Sequence, residues 1–133
     1  MPGTLAVERK PHVLVIDQDH KAADSFAFAL EVSGFRATAV YTCQKALELA
    51  AREAFQFVVS DVMSEGMQRI DALLAICDTH PDCRVLLMAG NHDCLPLVER
   101  AQAQGCCFES FAKPAHPKHV VEKLRELLLT QQV

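Results

Sequence analysis

Acidic side chains directly follow two apolar runs of this 133-residue chain. In HVLVIDQDH, residues 13–16 lead into Asp17, with Asp19 two places on, and FVVSDVM repeats the pattern at Asp61. FAKPA places Lys113 after a further apolar run. Carboxylates a few ångström apart repel each other unless a cation or a proton sits between them. Oxygen ligands without a dedicated cage favour Mg²⁺, and with a lysine they favour a site for a phosphoryl group.

Helix capping is the alternative interpretation of each acid taken alone. An aspartate that follows a strand commonly begins a turn or caps the next helix, and Asp19 is well placed to cap the first one. What favours chemistry is the combination, because the carboxyl ends of parallel strands form the crevice in which open α/β sheets bind their ligands. If the first and third strands are neighbours, Asp17 and Asp61 converge.

The elements that must position these residues alternate strictly. Apolar runs predict strands over 13–16, 36–40, 57–60, 83–90 and 107–112. Helical periodicity predicts a helix after each strand. The first three helices have inner faces formed by Ala23, Phe26, Ala27 and Leu30, by Leu47, Ala50, Ala51 and Ala54, and by Ile70, Leu73, Leu74 and Cys77. Gly34 is predicted to end the first helix and Thr42 to cap the second, while the fourth runs from Asp93 to Gly105 and the fifth begins at Pro117. Such alternation predicts one α/β domain, a parallel sheet with helices on both faces.

Composition excludes several classes of protein. A net charge of −4 argues against direct nucleic-acid binding. The sequence has neither a run long enough for a membrane helix nor the apolar core of a signal peptide, so we expect a cytoplasmic protein without membrane insertion. None of the six cysteines has C-x-x-C spacing, which predicts free thiols in a reducing compartment, with the adjacent Cys106 and Cys107 as the main candidates for another role.

The motifs VLVIDQD, FVVSDVM and FAKPA, in this order within a fivefold strand–helix pattern, resemble the receiver domain of two-component response regulators. The resemblance covers residues 11–131 and leaves 1–10 as a flexible N-terminal tail. It implies a doubly wound, five-stranded parallel sheet in the flavodoxin-like (βα)₅ receiver fold, with strand order 2-1-3-4-5.

The resemblance also implies roles for individual residues. Asp61 matches the phosphoacceptor, whose carboxylate attacks a phosphohistidine of a histidine kinase or histidine phosphotransfer protein. Lys113 matches the residue that contacts the phosphoryl oxygens. Asp17, Asp61 and the backbone carbonyl of Met63 match the Mg²⁺ ligands, and Gln18 is a further candidate ligand. The resemblance therefore implies that the protein is a phosphoacceptor module and not an enzyme, and that it at most catalyses its own phosphorylation and dephosphorylation.

Several positions depart from the family pattern. Gln18 stands where a second acid is usual, and its amide brings no charge, so Mg²⁺ binding is expected to be weak. Ala89 replaces the Ser or Thr that ends the fourth strand and grips the phosphoryl group. Ser110 stands where an aromatic switch residue is usual, and Glu65 replaces a proline in the loop after Asp61. The switch positions are therefore altered, while the phosphoacceptor and the lysine are retained.

Two functional classes follow. The chain is either a receiver, stand-alone or part of a longer regulator, or a pseudo-receiver that binds partners without phosphorylation. In both cases an output protein is expected on the face of the fourth helix, fifth strand and fifth helix. An aspartate-nucleophile phosphatase is disfavoured because Met63 stands where a second acid is usual. A protease triad at 92–94 is disfavoured because consecutive residues do not face each other. A metal site at His116 and His119 is also disfavoured, because the sequence shows no third ligand.

Overall fold

The computed structural model describes residues 10–61, 67–89, 99, 102, 103, 105, 107–112 and 116–131, and within this part strands and helices alternate. The elements are β1 (His12–Ile16), α1 (His20–Val32), β2 (Arg36–Val40), α2 (Cys43–Ala50), β3 (Phe57–Asp61), α3 (Met67–Thr79), β4 (Arg84–Ala89), β5 (Cys107–Ala112) and α4 (Pro117–Gln131). No helix in these ranges is long and apolar enough to cross a bilayer.

All strand pairs of the sheet are parallel, in the order β2-β1-β3-β4-β5. The predicted α/β fold and the order of the first four strands are thereby confirmed, and β5 pairs with β4 beyond them. The helix predicted from Asp93 to Gly105 falls largely outside the described residues. The complete fivefold repeat therefore stays a prediction.

The sheet separates two hydrophobic clusters, because successive side chains of a strand point to opposite faces. Leu14 and Ile16 of β1 pack on one face with α2 and α3, whereas Val13 and Val15 pack on the other face with α1 and α4. Every residue of β1 and of β3 is buried. Helices on both faces explain why these strands read as continuous apolar runs rather than as alternating ones.

Local signals mark the ends of the helices as predicted. The Asp19 carboxylate caps α1 by accepting hydrogen bonds from the backbone N–H groups of Lys21 and Ala22, at 3.0 and 3.3 Å. The Thr42 hydroxyl caps α2 in the same way. Gly34 follows α1 with a φ of +101°, a backbone conformation that side chains with a Cβ rarely adopt.

The inner face predicted for α2 is only partly correct, because Ala50 is buried as predicted but the other three predicted positions are exposed. Ala46 and Ala50 are the buried residues of this helix and Leu49 packs beside them, whereas Leu47 is 40% exposed. The helix also ends at Ala50. Residues 51 and 54, which were predicted to lie on its inner face, follow the helix and are both exposed. Beyond the helix, Phe55 joins the same hydrophobic cluster and is only 3% exposed.

The cysteines that can be assessed agree with the expectation from sequence. Cys43, Cys77 and Cys83 are thiols outside any disulfide, and the last two are buried among apolar side chains as small space-filling residues. The side chains of residues 94, 106 and 107 lie outside the described part of the chain, so the adjacent pair keeps its status as a candidate for another role.

Candidate functional site

The ends of β1 and β3 bring the two predicted aspartates together. These strands are neighbours, and Ile16 lies opposite Ser60 in their register. Asp17 and Asp61 are the next residues of the two strands and therefore lie at the same level. Neighbouring strands of a sheet lie about 4.8 Å apart, so the two aspartates lie at the same edge of the sheet. The condition on which convergence of these carboxylates depended is thus met.

Asp17 is held in place by backbone groups on two sides. Its N–H donates to the carbonyl oxygen of Val40 at the end of β2, at 3.2 Å. Its carboxylate Oδ1 accepts the N–H of Asp19 at 2.9 Å. The residue is only 3% exposed, although aspartates are almost never fully buried unless they are paired. The loop between β1 and α1 therefore presents a fixed, desolvated carboxylate.

Asp61 ends β3 in a similarly buried setting, with 6% of its surface exposed. The adjacent Ser60 is fully buried, and its hydroxyl donates to the Asp61 carbonyl oxygen at 3.1 Å. Two nearly buried carboxylates at the ends of adjacent strands form an environment that favours a divalent cation.

The oxygen donors at this edge fit a hard cation. Beside Asp17 and Asp61, the exposed Gln18 offers an amide oxygen from the same loop. Oδ1 of Asp19 accepts the two N–H groups of the α1 cap, so this carboxylate is engaged at the start of the helix. Across the described ranges, His, Cys, Asp and Glu side chains form no group of three or more that could hold a metal ion. Within these ranges, any third ligand would be an amide, a carbonyl or a water.

A cluster of side chains that the sequence patterns did not predict borders this loop. The ring of His20, the first residue of α1, stacks on the ring of Tyr41, with centroids 3.7 Å apart and planes 20° apart. The Tyr41 hydroxyl donates to the Asp24 carboxylate at 2.7 Å, and this hydrogen bond raises the pKa of Tyr41 above its ordinary value. The available signals were the i, i+4 spacing of His20 and Asp24 and a single tyrosine directly after β2.

Comparison with known proteins decides the family. The family model of the response regulator receiver domain matches residues 13–125. The chain belongs to this family. This receiver domain is 33% identical over 96 residues to the transcriptional regulatory protein FixJ of Bradyrhizobium diazoefficiens, covering 72% of the chain and 46% of FixJ. It is 29% identical over 119 residues to the response regulator protein FleR of Pseudomonas aeruginosa, covering 90% of the chain and 25% of FleR. The chain thus spans less than half the length of these curated relatives.

Solved structures support the receiver fold. A CheY-like receiver domain protein from Methanospirillum hungatei superposes with a TM-score of 0.81 at 22% identity, covering 93% of this chain and 98% of the other. A response regulator from Burkholderia pseudomallei, solved with a phosphorylated aspartic acid, calcium ion and citrate, gives a TM-score of 0.72 at 23% identity, covering 93% and 76%.

The remaining predicted positions of the receiver site are only partly described. Met63 and Lys113 lie outside the described residues, as does the 92–94 segment. Ala89 and Ser110 have described backbones in β4 and β5, opposite Ala112 and Leu87 respectively, but their side chains lie outside the description. The roles assigned to these residues stay predictions.

His116 directly precedes α4 and His119 lies in its first turn, and their ring centroids lie 6.0 Å apart. Both residues are exposed. Nδ1 of His116 accepts the backbone N–H of Lys118 at 3.1 Å, a local bond of the kind that caps helices. A capping role therefore accounts for His116 without a metal.

Proposed function

We propose that this receiver domain accepts a phosphoryl group on the carboxylate of Asp61. Receivers of two-component response regulators have a general role in phosphorylation-based signalling, and the chain is accordingly a signalling module rather than a classical enzyme. The observation that carries the proposal is the pair of nearly buried carboxylates, Asp61 and Asp17, at the ends of adjacent parallel strands. This is the edge at which an open α/β sheet binds ligands.

The chemistry is a transfer between two protein side chains. An oxygen of the Asp61 carboxylate attacks the phosphorus of a phosphohistidine on a histidine kinase or histidine phosphotransfer protein. The phosphorus–nitrogen bond breaks as the acyl phosphate forms, and the histidine leaves with the electron pair of that bond. Lys113 is assigned to the phosphoryl oxygens, where a cation stabilises the charge that remains on the group.

Mg²⁺ is the proposed cofactor of this transfer. The carboxylates of Asp17 and Asp61 and the backbone carbonyl of Met63 would hold it, with the Gln18 amide as a further ligand. When bound, Mg²⁺ supplies positive charge that offsets the repulsion between the aspartates and the incoming phosphoryl group. Because Gln18 contributes no charge, the site is proposed to bind Mg²⁺ weakly.

Signal output is proposed to occur through protein contact. We assign residues 11–131 to one receiver domain with a complete (βα)₅ repeat and order 2-1-3-4-5, preceded by a short tail. The proposed surface for the output protein comprises the helix predicted from Asp93 to Gly105, together with β5 and α4. This chain is similar to part of longer transcriptional regulatory proteins, which supports its proposed role as one component of a signalling pathway.

Intact-mass measurement after incubation with a small phosphodonor and Mg²⁺ tests the transfer. The wild-type protein is expected to gain the mass of one phosphoryl group, and Asp61→Asn is expected to gain none. Asp71→Asn, an exposed acid on α3, is the matched control and should react like wild type. No gain in the wild type would contradict the proposal and favour a pseudo-receiver that works without phosphorylation, whereas equal gain in Asp61→Asn would contradict Asp61 as the acceptor.

A further inference from the structure

The three residues between β1 and α1 carry Asp17 and Gln18, and one side of this loop is bordered by an aromatic contact. We define the Tyr41 clamp as Tyr41 with its two partners on α1, His20 and Asp24. The ring stacks on His20 at 3.7 Å between centroids, and the hydroxyl donates to Asp24 at 2.7 Å. A single side chain directly after β2 thus contacts residues of the first two turns of α1.

The clamp and the loop share one backbone anchor. Tyr41 directly follows Val40, whose carbonyl oxygen accepts the Asp17 N–H at 3.2 Å. The end of β2 therefore fixes the loop at two points. The Val40 carbonyl holds the start of the loop at Asp17, and the Tyr41 side chain holds the residue that follows the loop, His20. Between these points the N–H of Asp19 donates to the Asp17 carboxylate, so a shift of the first turn of α1 moves a group that orients Asp17.

We propose that Tyr41 is a positioning residue for the divalent-cation site. Through His20 and Asp24 it holds the start of α1 against β2, and so keeps the Asp17 carboxylate and the Gln18 amide in the arrangement that binds the cation. The cation half of this inference rests on the proposed function, whereas the loop half concerns the metal-free protein. Mg²⁺ demands near-ideal octahedral geometry, so small displacements of its ligands weaken binding.

Two substitutions separate the parts of the clamp. Tyr41→Phe keeps the ring stack and removes the hydrogen bond to Asp24, whereas Tyr41→Ala removes both. Phe28→Ala is the matched control. Phe28 is an aromatic residue of α1 that is 69% exposed and lies two turns away from His20. Urea unfolding of each variant provides the global stability against which local effects are corrected.

The first measurement is amide hydrogen exchange of Asp19 without metal. Exchange is expected to be about three- to tenfold faster in Tyr41→Ala, with a smaller increase in Tyr41→Phe, on the scale of one aromatic pair and one hydrogen bond. Phe28→Ala should match wild type. If Asp19 exchanges equally fast in Tyr41→Ala and wild type, after correction for stability, the clamp is overturned.

The second measurement is Mg²⁺ titration, with the same order of effects expected on the Kd. An unchanged Kd in Tyr41→Ala, alongside faster Asp19 exchange, would overturn the link between the clamp and the cation ligands. A wild-type protein that binds no Mg²⁺ would overturn the cation site of the proposed function. The exchange result distinguishes that outcome from failure of the clamp, since it is obtained without metal.

Discussion

Gln18 places a neutral amide beside two buried carboxylates at the proposed site. The residue is exposed and directly follows Asp17, so a change of its charge acts on the cation without disturbing the core. Gln18→Asp is expected to tighten Mg²⁺ binding by about 1–2 kcal/mol, the scale of one more charge contact near a protein surface. This corresponds to a Kd lower by a factor of about 5 to 30 in a magnesium titration.

Ala51→Asp is the control for charge alone, because it adds the same charge at an exposed position after the far end of α2. It should leave the Kd near the wild-type value. Equal or weaker affinity in Gln18→Asp would contradict the expectation and indicate that another group already supplies this charge.

His12 lies at the amino end of β1, at the edge of the sheet opposite the aspartates. The residue is 6% exposed, and its ring packs on Phe55 with centroids 4.3 Å apart. Nε2 lies 3.0 Å from the Thr38 hydroxyl. Burial and the neighbouring Arg36 lower the pKa of His12 below 6.5, although Glu53, 3.7 Å from Nδ1, acts in the opposite direction.

This depressed pKa predicts a loss of stability on mild acidification. The unfolded chain protonates His12 near pH 6.5, whereas the folded protein resists protonation until a lower pH, so the unfolded state binds more protons in between. The stabilisation by neutral His12 is complete above 6.5 and is lost as the pH falls from there to the lower folded-state pKa. Urea midpoints should fall more for wild type than for His12→Gln over this window. Equal falls would show that other groups cause the pH dependence.

At the scale of elements, the start of α1 depends on Asp19. Its carboxylate accepts two backbone N–H groups that have no partner within the helix. Asp19→Ala is expected to lower the free energy of unfolding by about 1 kcal/mol, the usual cost of losing an N-cap. Asp19→Asn keeps an acceptor oxygen and should lose much less, as measured by urea denaturation. Full stability of Asp19→Ala would mean that other contacts hold the first turn.

At the scale of the whole molecule, α4 is attached to the rest of the fold by two arginines. The Arg125 guanidinium donates to the carbonyl oxygen of Ser33, the C-cap of α1, at 2.9 Å. Arg84, at the start of β4, donates to the carbonyl oxygen of Leu127 at 2.9 Å. Val120 and Leu124 also pack in the cluster beneath α1. These contacts oppose movement of α4 when the site changes.

Phosphorylation is therefore expected to change the distant face little. A ligand shifts an equilibrium only by its differential affinity for the two states. Ala89 cannot donate the hydrogen bond that the receiver resemblance places there, worth about 1.5–3 kcal/mol to a charged group. A full reversal of populations needs about 5.5 kcal/mol. Partner binding should then be largely constitutive.

Amide NMR spectra with and without a beryllofluoride phosphate mimic measure this response. Shifts should cluster around Asp17, Asp61 and Lys113 in wild type and spread further in Ala89→Thr, which restores a hydroxyl. Large shifts throughout residues 90–125 of the wild type would show that the domain switches by a route without that hydroxyl.

The sequence by itself determined the features that depend on short-range patterns. The continuous apolar runs at residues 13–16 and 57–60 predicted buried strands, and both strands are buried. Such runs need no polar alternation because helices cover both faces of the sheet. Asp19, Thr42 and Gly34 predicted helix ends because capping and positive φ depend on one residue and its close neighbours.

Only the tertiary structure decided which distant residues meet. The pairing of β1 with β3, which brings Asp17 level with Asp61, depends on strand order rather than on any local pattern. The contact of Tyr41 with Asp24 joins residues 17 positions apart on different elements. The buried face of α2 was likewise decided by tertiary packing, which places Ala46 and Ala50 in the hydrophobic cluster, since the periodic pattern left more than one apolar face available.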